Sequence, residues 1–246
     1  MNEFENRHFT EVDSTNVEAV REITNGNVFN PTVFWADTQT AGKGTRGRSW
    51  QSQVGNVHAT YVFPLSIAIK DAPLLVYSIA LAVHDTLAEF IQNAPIQIKW
   101  PNDILVAEEK ISGSLHEIAY FERKPFFVAG IGINNEWKPD SDVLYPASCI
   151  ADFSKNTPKV ADLVQKLGEN IRLRIIEFEK IGFQGQKAEF LESSFRYGEE
   201  LQIRLRGDRQ DEHNGVFEGI DTDGALVLRT STGIERFVAG DIFPLL

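Results

Sequence analysis

The sequence predicts an α+β protein of two domains: a larger domain at residues 1–193, in which helices flank a mixed β-sheet, and a small SH3-like β-barrel at residues 194–246. Three observations support this fold class. Strand and helix patterns alternate as far as about residue 190, and only strand patterns separated by tight turns follow. With 246 residues, 42% of them hydrophobic, the chain can bury a full core.

The first domain is predicted to begin with a short helix at residues 17–23, because the Asp-Ser-Thr-Asn segment 13–16 offers N-cap side chains directly before it. Two runs of β-branched and aromatic residues, at 32–36 and 57–63, are predicted strands. The apolar segment 72–90 is predicted to be a helix buried against the sheet. The remaining predicted elements are strands at 96–100, 104–106, 110–118 and 126–133, a long amphipathic helix at 158–179, and a helix that follows the linker 181–186 and ends near Ser193.

The second domain is predicted to contain strands alone. Leu201, Ile203 and Leu205 alternate with polar residues, and the segments 221–224 and 231–233 carry turn chemistry between further strand patterns. Five short strands with tight turns in about fifty residues are typical of a small SH3-like barrel.

Composition excludes several classes of function. The net charge is −11 and the isoelectric point is near 5.0, which argues against general nucleic-acid or membrane binding because such surfaces need excess cations. The single cysteine, Cys149, cannot form an internal disulfide, and no leader pattern or long apolar span is evident. We therefore expect a cytoplasmic protein. The five histidines show no paired metal-ligand spacing, so no zinc site is expected.

The most informative segment is the glycine loop, residues 42–50, whose first seven residues contain three glycines and three cations. Glycines let backbone N–H groups converge on phosphate oxygens, and Lys and Arg neutralise the charge that arrives, so the loop predicts a nucleotide or acyl-phosphate site. A Rossmann turn does not fit, because a strand pattern rather than a helix follows the loop. Walker A spacing and the other protein-kinase motifs are also missing.

Three further motifs follow the glycine loop in order along the chain. Residues 99–103 read Lys-Trp-Pro-Asn-Asp, residues 110–117 read Lys-Ile-Ser-Gly-Ser-Leu-His-Glu, and residues 130–134 read Gly-Ile-Gly-Ile-Asn. Together with the glycine loop, segment 13–16 and the Asp-Gly turn of the terminal barrel, they resemble the biotin protein ligases over essentially the whole chain. The resemblance implies a catalytic domain like that of class II aminoacyl-tRNA synthetases and biotin ligases. Because the motifs begin close to Met1, the chain is similar to the form without an N-terminal DNA-binding domain.

The resemblance implies a ligase that forms a C–N bond in two steps. The carboxylate of biotin attacks the α-phosphate of ATP to give biotinyl-5′-AMP and pyrophosphate, and a lysine of a biotin carboxyl carrier protein domain then displaces AMP. ATP, Mg²⁺ and biotin are therefore expected, with magnesium held largely by phosphates and water, so that its protein ligands are not specified. The carrier domain of a biotin-dependent carboxylase is the expected partner, and a homodimer is a further expectation.

The resemblance also assigns residues. Lys110 is expected between the biotin carboxylate and the α-phosphate, Arg48 at the phosphates of ATP, and Lys99 as a third catalytic cation. The residues expected at biotin are Ser14, Thr15, Asn16, Gln39, Gly42, Lys43, Lys110, Gly113, Gly130 and Gly132. The residues expected at ATP or the adenylate are Thr45, Arg46, Arg48, Trp50, Asn102 and Asn134.

The glycine loop departs from the family pattern at two places. The family loop usually reads Gly-Arg-Gly-Arg, whereas Lys43 and Thr45 stand at the two arginine positions of this chain. Lys43 keeps the charge without the planar fork of arginine, and Thr45 removes a cation, for which Arg46 is the candidate replacement. We predict that the enzyme retains biotinyl-AMP less tightly than relatives with arginine at position 45.

The sequence leaves several alternative functions and residue roles open. Lipoate or octanoate ligases and transferases share the same catalytic architecture, although segment 99–103 and the terminal barrel favour biotin. A non-catalytic biotin- or nucleotide-binding module would keep the glycine loop, and a nucleic-acid-binding protein would use its cations on phosphates. Asp103 either assists the incoming lysine or caps a turn, and Gly130 and Gly132 serve either the ligand or a strand bulge.

Overall fold

The computed structural model describes residues 1–140, 146–205 and 211–244. Its strands and helices form two sheets with helices packed on the first. The strands are β1 Glu5–Val12, β2 Thr32–Gln39, β3 Val57–Pro64, β4 Ile96–Lys99, β5 Asp103–Val106, β6 Glu109–Phe121, β7 Lys124–Ile133, β8 Glu200–Arg204, β9 Glu212–Ile220, β10 Leu226–Thr230, β11 Gly233–Phe237 and β12 Asp241–Pro244. The α-helices are α1 Thr15–Thr24, α2 Leu75–Phe90, α3 Ile150–Phe153 and α4 Val160–Glu192.

The first sheet has seven strands in the order β1-β2-β3-β7-β6-β5-β4. It is mixed, because β1 pairs with β2 in parallel while the other neighbours are antiparallel. Successive residues of β3 and β7 point to opposite faces. Phe34, Val62 and Val128 pack with α1 on one face, and the larger core, which includes α2 and α4, covers the other. This arrangement confirms the predicted α+β class with helices flanking a mixed sheet.

Helix α2 is the apolar segment that the sequence places against the sheet. Together with the 3-10 turn Ile69–Leu74 it is long and apolar enough, by length and composition alone, to cross a membrane, and 56% of its apolar 18-residue stretch is buried inside the fold. Its buried residues include Leu75, Ile79 and Leu87, which lie in the main core between the sheet and α4. The apolar surface of α2 is thus used for packing.

Two local features refine the predicted elements. Strand β1 was not predicted, since its alternation of exposed and half-buried residues at the sheet edge gives no apolar run. Helix α4 continues through the predicted linker to Glu192 but is interrupted at Gly182, whose φ of 64° is not helical. The prediction of two consecutive helices joined near 181–186 is therefore confirmed, with the junction reduced to a kink.

The second sheet is antiparallel, in the order β11-β10-β9-β8-β12. It has the predicted five strands and matches the SH3-like expectation, although within residues 200–205 and 211–244 no ladder joins β11 to β12 and the sheet stays open. It contacts the first domain where the Tyr77 hydroxyl donates to the carbonyl of Gly224. The domain boundary at residue 193 stays a prediction.

Candidate functional site

A cavity of about 50 Å³ lies on the α1 face of the first sheet. It is bordered by the N-terminus of α1, by the glycine loop and by strands β3, β6 and β7. Its lining residues are Ser14, Thr15, Asn16, Gln39, Lys43, Gly44, Thr45, Trp50, His58, Asp103, Lys110, Gly113, Ser114, Leu115, Gly130, Ile131 and Gly132.

One side of the cavity is lined by Ser14, Thr15, Asn16 and Gln39; these four residues, together with Thr60, which bonds to Thr15 and Asn16, are called the polar wall. Thr15 donates to Gln39 Oε1 from its backbone N–H at 2.9 Å and from its hydroxyl at 3.2 Å. The Thr60 hydroxyl lies 2.8 Å from Thr15 Oγ1 and 2.7 Å from Asn16 Oδ1. Because Thr15, Asn16, Gln39 and Thr60 bond to one another, this part of the polar wall holds a fixed geometry.

The predicted side-chain cap of α1 is absent. Ser14 occupies the N-cap position with extended backbone, but its side chain makes no capping hydrogen bond. Asp13 instead accepts a bond from the Ser14 backbone N–H at 2.8 Å. The Ser14 hydroxyl, on a residue that is only 2% exposed, is therefore left for the cavity that it lines.

Two glycines of β7 allow other groups to approach the sheet. A Cβ on Gly130 would lie 1.9 Å from Asn16 Oδ1, and a Cβ on Gly132 would lie 2.3 Å from the Trp50 ring. The ladder between β6 and β7 is regular through both positions, so the alternative of a strand bulge is wrong. The glycines are required because the polar wall and the indole rest directly on the strand.

Lys110 Nζ lies beside the cavity and forms an ion pair with Asp103 Oδ1 at 2.7 Å. Gly113 leaves the space for this pair, since a Cβ there would be 3.0 Å from both charged atoms. The Lys110 ammonium also sits 5.9 Å from the centre of the Trp50 ring. The backbone of Lys110 is fixed on both sides, because its N–H donates to Pro146 O at 2.8 Å and its carbonyl accepts from Ser148 at 3.0 Å.

Asp103 joins Lys110 to a second, buried lysine. Lys99 Nζ lies 3.8 Å from Asp103 Oδ2 and its side chain is 3% exposed. Burial lowers the pKa of Lys99 to about 7, with Asp103 opposing that shift and Lys110 adding to it. Burial alone would raise the pKa of Asp103, but the attraction of Lys110 and Lys99 outweighs it and holds that pKa below its usual value.

The glycine loop is closed on itself and tied to the second sheet. Lys43 bridges Ser49 across the loop, and Thr45–Gly47 forms a 3-10 turn. The guanidinium of Arg46 pairs with Asp241 Oδ2, and that of Arg48 lies 3.3 Å from Asp241 Oδ1. Asp241 begins β12, so the C-terminal sheet supplies a carboxylate to the loop that the sequence analysis missed, because no local motif marks it.

The structure brings most of the predicted residues together but not all of them. Those that line the cavity are Ser14, Thr15, Asn16, Gln39, Lys43, Thr45, Trp50, Lys110, Gly113, Gly130 and Gly132. Those that do not line it are Gly42, Arg46, Arg48, Lys99, Asn102 and Asn134.

The positions of these outlying residues have physical reasons. Asn102 donates to the carbonyl of Ser114 on β6 and so fixes the turn before β5. Asn134 was predicted to line the adenylate end, whereas it is 3% exposed and its amide donates to Ser148 O at 3.0 Å. It supports the segment beside Lys110 instead. Gly42 lies next to Trp50 in the glycine loop, and the backbone N–H of Trp50 donates to the carbonyl of Gly42 at 2.9 Å.

The lining residues that were not among the predicted catalytic, biotin-binding or ATP-binding residues are Gly44, His58, Asp103, Ser114, Leu115 and Ile131. Asp103 is the residue predicted either to assist the incoming lysine or to cap a turn, and His58 shares the face of β3 with Thr60. No group of three or more His, Cys, Asp or Glu side chains that could hold one metal ion occurs within 1–140, 146–205 and 211–244.

Comparisons with known proteins agree with this geometry. Residues 8–134 match the model of the Biotin/lipoate A/B protein ligase family, and residues 201–243 match the Biotin protein ligase C terminal domain. The biotin–[acetyl-CoA-carboxylase] ligase of Paracoccus denitrificans is 30% identical over 237 residues, which cover 94% of this chain and 97% of that protein. The corresponding ligase of Mycobacterium tuberculosis is 28% identical over 239 residues, covering 94% and 86%.

Two further likenesses concern a longer relative and a solved structure. The bifunctional ligase/repressor BirA of Bacillus subtilis is 30% identical over 250 residues, covering 95% of this chain and 72% of that protein. The structure of the biotin protein ligase from Aquifex aeolicus in complex with biotin and ATP has a TM-score of 0.78 and 26% identity, with 97% of each chain covered. On the match of its fold, its motifs and more than half of its residues, the chain belongs to the biotin/lipoate protein ligase family.

Proposed function

We infer that the protein is an ATP-dependent biotin protein ligase that activates biotin as biotinyl-5′-AMP and transfers it to a lysine of a biotin carboxyl carrier protein domain. The observation that carries this function is the position of Lys110. Its ammonium lies in one cavity with the polar wall on one side and Lys43 and Thr45 of the glycine loop on the other. Biotin bound at the polar wall and ATP bound at the glycine loop would therefore both reach the Lys110 ammonium, from opposite sides of the cavity.

The charges around the cavity suit the first step, in which two anions must meet. The ion-paired groups beside it are the cations Arg46, Arg48, Lys99 and Lys110 and the carboxylates Asp103 and Asp241. The carboxylates balance only part of the positive charge, and Lys43 adds to it. This surplus stabilises the charge that develops as a biotin oxygen attacks the α-phosphorus and pyrophosphate departs.

The proposed roles follow from these positions. Lys110 orients the biotin carboxylate against the α-phosphate, and Arg46 and Arg48 exchange their carboxylate partner for the phosphates of ATP. Magnesium is proposed to arrive with ATP, held by phosphates and water, because Asp103 is already occupied by two lysines. In the second step, the acceptor amine attacks the acyl carbon, AMP leaves and the amine loses a proton.

The biotin substrate is favoured over lipoate or octanoate by two features. The polar wall and the cavity's hydroxyl and amide groups suit a ring with directed hydrogen bonds, which the tail of a fatty acid does not offer. In addition, residues 201–243 match a domain named for biotin protein ligases.

The direct test is a transfer reaction. We expect incubation with ATP, Mg²⁺, biotin and a biotin carboxyl carrier domain to add one biotinyl mass to the carrier, as seen by intact-mass spectrometry, and incubation with lipoate or octanoate to add nothing. A carrier modified by lipoate alone would move the protein to the other branch of the family. Biotin binding without pyrophosphate release would identify a non-catalytic binding module.

Three further expectations accompany this function. We propose a cytoplasmic location, which the single cysteine supports and cell fractionation can test. A homodimer is proposed because, among the described strands, β1 pairs only with β2 and forms one edge of the seven-stranded sheet; light scattering with size-exclusion chromatography measures the oligomeric state. The acidic balance supports the absence of nucleic-acid binding, which an electrophoretic shift with plain duplex DNA checks.

A further inference from the structure

His58 lines the cavity but belongs to none of the motifs of the chain. It lies on β3 directly opposite Gly132 of β7, on the same face of the sheet as Thr60. The residue is only 1% exposed. A polar ring that is this deeply buried at a ligand cavity needs a hydrogen-bonding explanation.

The contacts of His58 fix its tautomer. Its Nε2 atom lies 3.1 Å from the backbone carbonyl of Gln53, and a carbonyl oxygen can only accept, so Nε2 carries the proton. Burial lowers the pKa of His58, although the bond to Gln53 opposes this shift, so the ring is neutral near pH 7. Nδ1 is therefore a bare acceptor.

No protein group within the described parts of the chain satisfies this acceptor. Among those residues, Nδ1 of His58 is buried without a hydrogen-bond partner, and the indole Nε1–H of Trp50, which packs on the neighbouring Gly132, is likewise unpaired. The nearby polar wall offers no compensation, because Thr15, Gln39 and Thr60 already bond to one another. An unpaired buried acceptor costs free energy, and a ligand that brings a donor removes this cost.

We propose that Nδ1 of His58 accepts a hydrogen bond from a ring N–H of the substrate, so that His58 selects a cyclic urea over acids with apolar tails. This inference rests on the proposed function and deepens it. The ureido ring of biotin carries N–H donors, whereas lipoate and octanoate carry none. A substrate without the donor would leave the buried Nδ1 of His58 unpaired, and such a loss is the basis of strong discrimination between substrates.

The test uses two variants that separate the ring nitrogens. The amide oxygen of His58→Asn lies near the position of Nδ1 and keeps an acceptor there, whereas the longer amide of His58→Gln reaches toward the position of Nε2 and Gln53. Dissociation constants for biotin, desthiobiotin and octanoate are measured by titration calorimetry without ATP. Desthiobiotin is included because it retains the cyclic urea and lacks the sulfur.

We expect His58→Gln to weaken biotin and desthiobiotin about tenfold or more, with octanoate unchanged. His58→Asn should stay within about threefold of the parent for all three ligands, since its acceptor is retained. The inference is overturned if His58→Gln binds biotin as the parent does, or if a variant weakens biotin and octanoate equally, which would indicate packing alone.

A measurement on the unaltered protein covers the case in which a variant does not fold. With ¹⁵N-labelled histidine, the Nδ1 signal of His58 should move upfield when biotin is added, as it does when a bare imidazole nitrogen accepts a hydrogen bond, and should not move with octanoate. An unchanged signal in a protein saturated with biotin contradicts the inference. Failure of the proposed function is distinct, because the parent would then form no biotinyl-AMP.

Discussion

The polar wall of the cavity and the glycine loop hold their polar groups in different ways. In the wall, Thr15 and Asn16 are only 4% and 5% exposed, and the side chains of Thr15, Asn16, Gln39 and Thr60 bond to one another. The arginine side chains of the loop are 36% and 44% exposed and depend on one carboxylate, Asp241, from the other sheet. The wall is thus organised before a ligand arrives, whereas the loop keeps cations whose partner a phosphate can replace.

The largest expected effect comes from Lys110, which lies between the two regions. Lys110→Met should lower the rate of pyrophosphate exchange with biotin and ATP by about 10²–10³-fold, because it removes a fixed positive charge where negative charge develops. Lys124→Met, an exposed lysine at the start of β7, is the matched control and should leave the rate unchanged. Equal rates for both variants would remove Lys110 from the chemistry.

The wall is tested by Ser14→Ala. Because the Ser14 hydroxyl makes no capping bond, its loss should spare the fold but weaken biotin about tenfold, measured by calorimetry, while ATP binding stays the same. Ser66→Ala, which removes an exposed hydroxyl outside the cavity, is the control. A loss of stability without a loss of biotin affinity would instead show that Ser14 serves the helix.

The loop is tested by Thr45→Arg. Thr45 lines the cavity, so the new guanidinium should gain a charged contact with the adenylate and slow its release several-fold, as followed by chase of labelled biotinyl-AMP. Thr45→Gln, which adds length without charge, should release the intermediate at the parent rate. An arginine variant that releases it no more slowly than the parent counts against the predicted loose retention.

The tie between the loop and the second sheet gives a smaller effect. Asp241→Asn removes the carboxylate that competes with phosphate for Arg46 and Arg48, so the KM for ATP should fall by about two- to fivefold, as for partly exposed ion pairs. Asp221→Asn breaks an ion pair with Arg236 in the same sheet and should not change KM. A rise in KM would mean that Asp241 orders the loop for ATP.

The smallest expected effect is a proton linkage at Lys99. The pKa of Lys99 is lowered to about 7, so at pH 8 the Lys99 amine is neutral in most molecules. The phosphates of bound ATP should raise this pKa, so that ATP binding at pH 8 is accompanied by uptake of a fraction of a proton. Calorimetry of ATP binding in buffers of different ionisation enthalpy measures this uptake. It should vanish at pH 6, where Lys99 is already protonated, and in Lys99→Met at either pH.

The sequence predicted the parts of the fold that have strong local patterns. A short stretch of sequence is enough to predict the apolar helix α2, the buried strands β3 and β7 and the break near Gly182. Strand β1 was not predicted, because an edge strand with a single partner needs no apolar run. The number of strands predicted a closed small barrel. Closure, however, would require β11 to pair with β12, and the described residues form no such ladder.

The site was predictable where residues act through local motifs and not where they act across the fold. Lys110, Gly113 and Gly132 were identified from their segments, and the structure brings them to one cavity. Asp241 joins the glycine loop from nearly 200 residues away, since the Arg46 pair spans 195 positions. His58 belongs to no motif, because an isolated histidine has no pattern in the sequence, and only its burial beside the cavity with an unpaired Nδ1 distinguishes the ring.

The two glycines of β7 have a consequence for altering substrate range. Where a pocket floor consists of side chains, trimming one of them creates room for a bulkier molecule. Here the floor beneath Asn16 and Trp50 is bare backbone, so nothing remains to be shortened. Larger biotin analogues would have to be accommodated by changing the N-terminus of α1 or the side chain of Trp50. These two elements are therefore the starting points for engineering a ligase that attaches such analogues.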